Sequence, residues 1–362
     1  MATDPGPVWR ITPAAAPDGE VAAVVAGDPV RAWSADIPVA DAPEAWPTGF
    51  AIPAARAGVA LEVPHPLDPA WRVGVDANLA LAAEWWGGDD HLRVIEPRRG
   101  RFGARRARRR ARQSDPANGT VLFFTGGVDS FFSLLCGAVR PSHLVFVAGY
   151  DVELDDTERL AATRASLEAV AAGVGAAAAV VSTDLRTHPT FAAVAWQHTH
   201  GAALATIAHL LRPTIGTAVI SPSWAESRMI PWGSRPDLDP RWRVPGRTEL
   251  LHGDASGGRF DRVRAIAAHP LVHEHLRVCW QNVAGTLNCG RCEKCVRTMV
   301  MLAGVDQLQR CRTFPDRALL AAALDEVPQV SPTHLLFWED LVGLPLRPDE
   351  QRALDALFAR SA

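Results

Sequence analysis

The amino-acid sequence predicts an α/β fold: a doubly wound, mainly parallel β-sheet, preceded by a β-rich segment and followed by a helical tail. Two observations support this prediction. From residue 121 onward, short apolar segments alternate with segments of helical spacing, and the first apolar segment runs into a glycine-rich turn that opens a helix. Alternating strands and helices form parallel sheets that are covered on both faces. Ligands then bind at the carboxyl ends of the strands.

The composition is that of a globular protein, with 362 residues, 48% hydrophobic residues and a formal net charge of −3. By the rough figure of about 150 residues per domain, this length suffices for two domains. No apolar run reaches the length of about 18 residues that a membrane-spanning helix needs. The first residues lack a basic region followed by an apolar stretch, which is the mark of a signal peptide. The sequence therefore predicts a cytoplasmic protein with no membrane partner.

Residues 1–97 are predicted to form a β-rich accessory domain. Its strand-like segments are residues 21–26, 30–37, 59–63 and 71–75. Asn78 is expected to cap a short helix that runs to Trp86. We see no catalytic constellation in this part of the sequence, so we interpret it as a domain that packs on the rest of the chain or covers a substrate.

Residues 98–118 are predicted to be a basic linker, because arginine dominates 98–112. Such a run can follow the phosphates of a nucleic acid, but it more often forms a solvated linker or helix face. Few aromatic residues interrupt the run, so a nucleic acid is not the favoured partner. Almost all basic residues of the chain are arginine, and its single lysine is Lys294.

The glycine-rich turn has the properties of an anion site. Residues 121–135 read Val-Leu-Phe-Phe-Thr-Gly-Gly-Val-Asp-Ser-Phe-Phe-Ser-Leu-Leu. Gly126 and Gly127 allow the backbone to approach a ligand, and the free N–H groups at the start of the helix point at negative charge. Thr125 and Ser130 add hydroxyl groups, and Asp129 is a candidate ligand for a metal ion on phosphates. The spacing matches neither the Walker loop nor the Gly-x-Gly-x-x-Gly dinucleotide motif.

Further strand and helix units follow the turn. Strands are predicted at 143–149, 179–183 and 217–221, and helices from Asp155 to Gly173 and over 191–211. The long charged loop 224–245 is interpreted as a substrate lid. It carries Glu226, Arg228, Arg235, Asp237, Asp239 and Arg241. His198 and His200 are two residues apart and do not share a helix face, so surface or capping roles are expected for them.

Four of the six cysteines are clustered in a C-x9-C-x2-C-x2-C pattern. They are Cys279, Cys289, Cys292 and Cys295. Four thiolates at this spacing can bind one tetrahedral zinc ion in a structural knuckle. An iron–sulfur cluster uses the same ligand set and remains an alternative. The other two cysteines, Cys136 and Cys311, are predicted to be ordinary core thiols.

The motif Thr-Gly-Gly-Val-Asp-Ser resembles the Ser-Gly-Gly-x-Asp-Ser loop of the N-type ATP pyrophosphatases, the PP-loop family, and Thr125 keeps the hydroxyl of the first position. With the cysteine pattern and the arginine that follows it, Arg297, residues 119–300 are most similar to the 7-cyano-7-deazaguanine synthase family. The resemblance implies a PP-loop fold for a domain spanning residues 119–310. Residues 311–362 are predicted to form a helical tail that packs on this domain or on a second subunit, as in a homodimer.

The resemblance also implies cofactors and residue roles. The cofactors would be ATP, Mg²⁺ and Zn²⁺, with the zinc on the four cysteines. Pyrophosphate would be held by Thr125, Gly126, Gly127, Val128 and Ser130. Asp129 would position Mg²⁺, and Asp129 and Ser130 would be the catalytic residues. Tyr150 would lie near the adenine, and Arg262 would replace a lysine that many members of the family carry.

The activity implied is a C–N ligase reaction: activation of a carboxylate or amide by adenylation, with release of AMP and pyrophosphate, followed by nitrogen transfer. The partners would be a small-molecule acid or amide and ammonia, and the substrate would differ from that of the deazaguanine enzymes. Two alternatives remain open at this point. One is an RNA sulfurtransferase of the PP-loop class, and the other is a nucleotide sensor that binds ATP without turnover.

Overall fold

The computed structural model describes residues 6–97 and 117–361. Within these residues, ten strands join in one sheet. The strands are Val8–Ala14 (β1), Glu20–Val25 (β2), Asp28–Trp33 (β3), Ala60–Glu62 (β4), Val94–Ile95 (β5), Gly119–Phe123 (β6), His143–Ala148 (β7), Ala177–Thr183 (β8), Ile215–Ile220 (β9) and Glu249–His252 (β10).

The helices of the described residues lie on both faces of this sheet and in the tail. They are Ala45–Ala57 (α1), Pro69–Trp86 (α2), Val128–Cys136 (α3), Thr157–Val174 (α4), Pro189–Ala192 (α5), Trp196–Leu210 (α6), Arg259–Ile266 (α7), Pro270–His275 (α8), Glu293–Gly304 (α9), Leu320–Glu326 (α10), Pro332–Leu335 (α11) and Pro348–Ser361 (α12).

The sheet is mostly parallel, which confirms the α/β class. Its order is β10-β9-β6-β7-β8-β3-β2-β1-β4-β5. The five strands from β10 to β8 run parallel to one another. β3, β2 and β1 then continue the sheet in antiparallel pairs, and β4 and β5 close it in parallel. The carboxyl ends of β6, β7 and β9 therefore meet at one edge, where a ligand is expected.

Alternating side chains of the central strands pack into two hydrophobic cores, one on each face of the sheet. In β6, Val121 and Phe123 belong to the core that includes residues of α1, α2 and α6. Leu122 points to the other face, where residues of α3, α4, α7 and α9 and of the tail form the second core. This alternation follows from the two-residue period of a strand. The sheet is thus covered by helices on both sides, as the run of apolar residues in β6 and β7 predicts.

In the first part of the chain, one of the four predicted strands is helical in the structure. Residues 71–75, predicted to be a strand, lie in helix α2. The helix begins after Asp68, whose side chain accepts hydrogen bonds from Ala70 N and Trp71 N, so the prediction of Asn78 as the cap is also wrong. The sequence Asp68-Pro69 is an N-cap followed by proline at the first helical position, and this signal outweighs the apparent strand alternation.

Helix α1 is absent from the sequence-based prediction, because its composition hides it. It contains Gly49 and Pro53, and both residue types disfavour a helix interior. Eleven of its 13 residues are buried, so packing stabilises it rather than intrinsic propensity. A Cβ on Gly49 would lie 2.9 Å from Thr206 Oγ1 of α6, so glycine allows the two helices to approach closely.

In the second part of the chain, the predicted helix over 191–211 is divided into α5 and α6. The tail is helical as predicted, and Ser331 caps α11 by accepting a hydrogen bond from His334 N. No helix in the described parts of the chain is long and apolar enough to cross a membrane.

The basic segment 98–112 lies outside the described residues, as does most of the predicted linker 98–118. The division of the chain into an accessory domain, a linker, a nucleotide domain and a tail stays a prediction. β3 pairs with β8 through Ala32 and Trp33, so the strands before and after the linker share one sheet.

Candidate functional site

The glycine-rich loop connects the carboxyl end of β6 to the start of α3. Gly126 has a φ of +77°, a left-handed conformation that glycine adopts at little cost. Gly127 is the N-cap residue of α3, and the first N–H groups of a helix have no acceptor within that helix. The hydroxyl of Ser130 donates to the carbonyl of Gly127 at 3.0 Å, so it serves the helix start in this structure. The loop thus presents backbone donors at a helix N-terminus, which suits an anion.

A cavity of about 190 Å³ opens beside this loop at the carboxyl ends of β6, β7 and β9. Five loop residues predicted to bind the nucleotide line it: Thr125, Gly127, Val128, Asp129 and Ser130. Tyr150, predicted to lie near the adenine, lines the same cavity. The carbonyl of Gly126, the remaining predicted residue, instead accepts a hydrogen bond from Arg277 N at 2.8 Å.

Asp129 is held by two arginines of α7. Its Oδ2 lies 2.7 Å from Arg259 Nη2, and its Oδ1 lies 2.8 Å from Arg262 Nη1. Burial alone would raise the pKa of Asp129, but the charges of Arg259 and Arg262 outweigh it and hold the pKa below its usual value. Both oxygens of this carboxylate therefore already accept from guanidinium groups. The residues do not offer Mg²⁺ a free carboxylate oxygen at Asp129, so we derive no step through that ion there.

Two further cations line the cavity from the first turns of α9. They are Lys294, the single lysine of the chain, and Arg297. Burial and the neighbouring charge of Arg259 lower the pKa of Lys294, and the same two causes lower the pKa of Arg297 to about 10. Arg297 is 3% exposed, and its Nη1 has no hydrogen-bond partner among the described residues. A buried donor without a partner is costly, and an anionic ligand would supply the missing acceptor.

Phe337 of the tail contacts two of these cations. Its ring centre lies 4.6 Å from Arg259 Cζ and 4.4 Å from Arg297 Cζ, distances at which an aromatic face attracts a guanidinium. The ring of Trp224 stacks on Phe337, with the ring centres 4.1 Å apart. The helical tail, which lies outside the family resemblance, therefore helps to hold the cations of the cavity.

Aromatic rings also line the cavity. The rings of Tyr150 and Trp196 are 5.1 Å apart, and the ring of His200 follows at 6.0 Å from Trp196. The hydroxyl of Tyr150 donates to the carbonyl of Ala203 at 2.9 Å, and burial raises its pKa well above the usual value. Burial lowers the pKa of His200, which favours a neutral ring. The lining of the cavity thus combines cations with aromatic rings.

His200, for which the sequence predicts a surface or capping role, lines the cavity. The sequence prediction also failed to place Arg259 at the site. Arg259 is 130 residues from Asp129 along the chain, and nothing local to either residue indicates the pair. His198 stacks on Trp86 with the ring centres 4.0 Å apart.

Ion pairs within the predicted lid loop and between the loop and the tail hold this loop in place. Arg235 binds Asp237 at 2.8 Å, and Arg228 binds Asp340 of the tail at 2.8 Å. Asp239 is fully buried, where its Oδ2 accepts from Ser234 Oγ at 2.7 Å and lies 2.6 Å from His252 Nδ1. Ser234 of this loop lines the cavity, as does Ser223, which directly precedes the loop.

The four clustered cysteines come together beside this cavity. The four Sγ atoms of Cys279, Cys289, Cys292 and Cys295 lie within 4.8 Å of one another, and Cys289 Sγ and Cys295 Sγ are 3.9 Å apart. A zinc tetrahedron with bonds of about 2.3 Å has edges of about 3.8 Å, so the cluster has the size of a metal site. Outside the cluster, Cys311 is buried, as predicted, whereas Cys136 is exposed, so the prediction of a core thiol is wrong for Cys136.

The protonation of the cluster also suits a metal. A hydrogen bond from the Cys295 thiol lowers the pKa of Cys292 to about 5, and the same bond raises the pKa of Cys295. The lowered pKa of Cys292 favours the thiolate, which is the form that binds metals. The structure thus contains a four-cysteine cluster that could hold a metal ion, as the spacing predicts.

Comparison with family models, with curated proteins and with solved structures gives no significant match to this chain.

Proposed function

We propose that this chain is an ATP-dependent, AMP- and pyrophosphate-forming enzyme of the PP-loop type that adenylates a carboxylate or amide and transfers nitrogen to it. The resemblance to 7-cyano-7-deazaguanine synthases motivates the proposal, on a substrate of the chain's own. One structural observation supports it most. The glycine-rich loop, Arg259, Lys294 and Arg297 line a single cavity at the carboxyl ends of the strands.

In this proposal, the loop and the cations bind the pyrophosphate part of ATP together. The backbone donors at Gly127 and the start of α3 take the pyrophosphate. Arg259, Lys294 and Arg297 neutralise its charge as it leaves, in a buried site where such interactions are strong. Asp129 acts as a positioning residue, because it orients the guanidinium groups of Arg259 and Arg262. The aromatic rings of Tyr150 and Trp196 contact the adenine in this proposal.

The proposed chemistry has two steps. A carboxylate oxygen of the substrate attacks the α-phosphorus of ATP. The bond between the α-phosphorus and the oxygen that bridges to the β-phosphorus breaks, and pyrophosphate leaves with the electron pair. A nitrogen nucleophile then attacks the acyl carbon, loses a proton, and AMP leaves. The protein contributes orientation of the acid in line with the α-phosphate and electrostatic stabilisation of the leaving group. Mg²⁺ would enter bound to the phosphates of ATP.

Zinc is the metal that we propose for Cys279, Cys289, Cys292 and Cys295. A closed site of four thiolates is structural by default, because it leaves no open position for a substrate. The ion would then stabilise the wall of the cavity and take no part in bond making.

An exchange experiment tests the proposed adenylation. Labelled pyrophosphate is incubated with protein, ATP, Mg²⁺ and a panel of carboxylic acids, and radioactive ATP is measured. Acid-dependent exchange is expected for the wild type, with a large loss in Arg297→Gln. The matched control is Arg264→Gln, which removes an exposed cation from the same helix as Arg259 and should leave exchange unchanged. If no acid of the panel supports exchange in a protein that binds ATP, the adenylation proposal is contradicted.

A second function deserves a test because of Asp129. Since both of its oxygens accept from arginine, the cavity would also suit a sensor that binds ATP without cleaving it. Sensor and enzyme differ in one readout: the sensor binds ATP stoichiometrically and releases no pyrophosphate during long incubation with any acid of the panel.

A further inference from the structure

The four-cysteine cluster is linked to the glycine-rich loop through the segment that carries Cys279. Two residues before this cysteine, Arg277 N donates to Gly126 O at 2.8 Å. A Cβ on Gly126 would lie 3.4 Å from His275 O and 3.5 Å from Arg277 Cβ, so the segment packs closely against the loop. The next residue, Val278, lines the cavity. A displacement of Cys279 would therefore move both the loop and the cavity wall.

Asn288, which directly precedes Cys289, braces this segment. Its Oδ1 accepts from Val278 N at 2.8 Å and from Cys279 N at 3.2 Å. Its Nδ2 donates to the carbonyls of Leu276 at 2.8 Å and Thr313 at 3.2 Å. These bonds use the full capacity of a side-chain amide, and the residue is 3% exposed. Asn288 therefore holds the segment that carries Cys279 next to Cys289. We call this set of hydrogen bonds the brace.

The other two cysteines position the cations. Cys292 is the N-cap residue of α9 and Cys295 lies in its first turn. Lys294 stands between these two ligands in the sequence, and Arg297 and Thr298 follow within the next turn. All three line the cavity. The cluster therefore joins the two walls that would grip an anion: the segment behind the glycine-rich loop and the start of α9.

From this connection we propose that a metal ion on the four cysteines positions the anion site, so that metal occupancy sets the affinity of the cavity for pyrophosphate. The inference rests on the proposed function in taking pyrophosphate as the ligand. Without the ion, no metal–thiolate bonds join the Cys279 segment to α9. Loosening of either wall misplaces donors that must meet one anion together, and such misplacement is costly for binding.

The test compares magnesium pyrophosphate binding by calorimetry in the zinc-loaded full chain and in the same protein stripped of metal under reducing conditions. We expect a loss of affinity of tenfold or more on stripping. By linkage, magnesium pyrophosphate must raise the affinity of the folded protein for zinc by the same factor. The higher zinc affinity is measured with a chromogenic chelator, which should take a smaller fraction of the zinc when magnesium pyrophosphate is present than when it is absent. This measurement needs no metal-free protein.

Asn288→Ala provides a variant that keeps all four cysteines. We expect it to retain about one zinc per chain, because the four cysteine ligands are unchanged. We expect it to lose pyrophosphate affinity, because the hydrogen bonds of Asn288 are absent. Thr286→Ala is the matched control, because Thr286 lies exposed in the same loop, and it should bind pyrophosphate like the wild type. Circular dichroism verifies that each protein is folded.

The outcomes separate this inference from the proposed function. Equal pyrophosphate affinity in the loaded and stripped proteins, with zinc transfer unaffected by pyrophosphate, overturns the inference and leaves the enzyme proposal intact. Failure of the zinc-loaded protein to bind pyrophosphate or ATP at all overturns both. Loss of pyrophosphate affinity in the Thr286→Ala control as well would show that the effect is not specific to the brace and would count against the inference.

Discussion

Asp129 and Arg262 form an ion pair at the base of the candidate site, with 2.8 Å between Oδ1 and Nη1, although 133 residues separate them. Arg262 is 1% exposed, and its Nη1 also donates to the carbonyl of Pro222. The pair joins the start of α3 to α7. It fixes the direction of the charged groups that face the cavity, because Arg259 binds the other oxygen of the same carboxylate.

The first prediction concerns this pair. Asp129→Asn removes the negative charge and leaves the guanidinium of Arg262 buried without its counter-ion, an arrangement that costs about 3 to 5 kcal/mol. We expect the free energy of unfolding in urea to fall by about 3 kcal/mol and ATP turnover to fall at least roughly a hundredfold. Arg264→Gln is the control, since it breaks an exposed pair with Asp261 and should cost no more than about 0.5 kcal/mol. Wild-type stability and turnover in Asp129→Asn would contradict the assigned role.

The second prediction separates the two glycines of the loop. Gly126 has a φ of +77°, and Gly126→Ala should destabilise the protein by about 1 to 2 kcal/mol. Gly127 has a φ of −77°, and a Cβ there would lie 3.4 Å from Thr125 Oγ1, so Gly127→Ala should fold with near wild-type stability. Because Gly127 lines the cavity, we expect Gly127→Ala to weaken pyrophosphate binding and Gly127→Val to abolish it. Thermal unfolding and calorimetry measure the two effects, and tight binding by Gly127→Val would be the contrary result.

The third prediction concerns the metal. Elemental analysis of purified protein should give about one zinc per chain. Cys292→Ser should lose the ion and lower the melting temperature, whereas Cys136→Ser, which changes a cysteine outside the cluster, should keep it. A brown protein that contains iron and acid-labile sulfide would contradict zinc and would favour the sulfurtransferase alternative.

The fourth prediction concerns acid stability. His209 is 1% exposed, and its Nε2 lies 2.9 Å from the carbonyl of Trp242. Burial lowers the pKa of His209 from 6.5 to about 4. Between these values the unfolded chain binds a proton that the folded chain does not, so stability falls as the pH falls from 6.5 towards 4. The contribution of His209 should reach about 3 kcal/mol.

Urea unfolding at about pH 7 and about pH 4.5 measures this effect. His209→Gln can still donate to Trp242 and does not titrate, so it should lose less stability than the wild type over this interval, by about 2 to 3 kcal/mol. The comparison variant is His91→Gln, because His91 is exposed. An identical pH dependence of His209→Gln and the wild type would contradict the assignment.

The sequence predicts those parts of the site that are local in the chain. The strand, the glycine-rich turn and the start of α3 follow one another within residues 119–136, so hydrophobic pattern and turn chemistry suffice to place them. The cysteines of the cluster also lie close together in sequence. Their spacing is therefore enough to predict that Cys279 meets the other three.

What the sequence does not predict depends on long-range packing. Arg259 and Asp129 meet because α7 packs on α3, and Phe337 reaches the cations because the tail folds back. The antiparallel pairing of β3 with β8, which extends the sheet into the first part of the chain, leaves no local mark either. Helix α1 escapes prediction because it is buried on nearly all sides and so lacks a polar face.

The most direct test of the central claim is the identity of the bond that is broken in ATP. The loop offers backbone donors for a pyrophosphate and lacks the Walker lysine that assists transfer of the terminal phosphate. Protein is incubated with ATP labelled in the α- and γ-phosphates, Mg²⁺, ammonia and candidate acids, and the nucleotides are separated. We expect AMP and pyrophosphate in equal amounts. ADP and inorganic phosphate as the main products would contradict it.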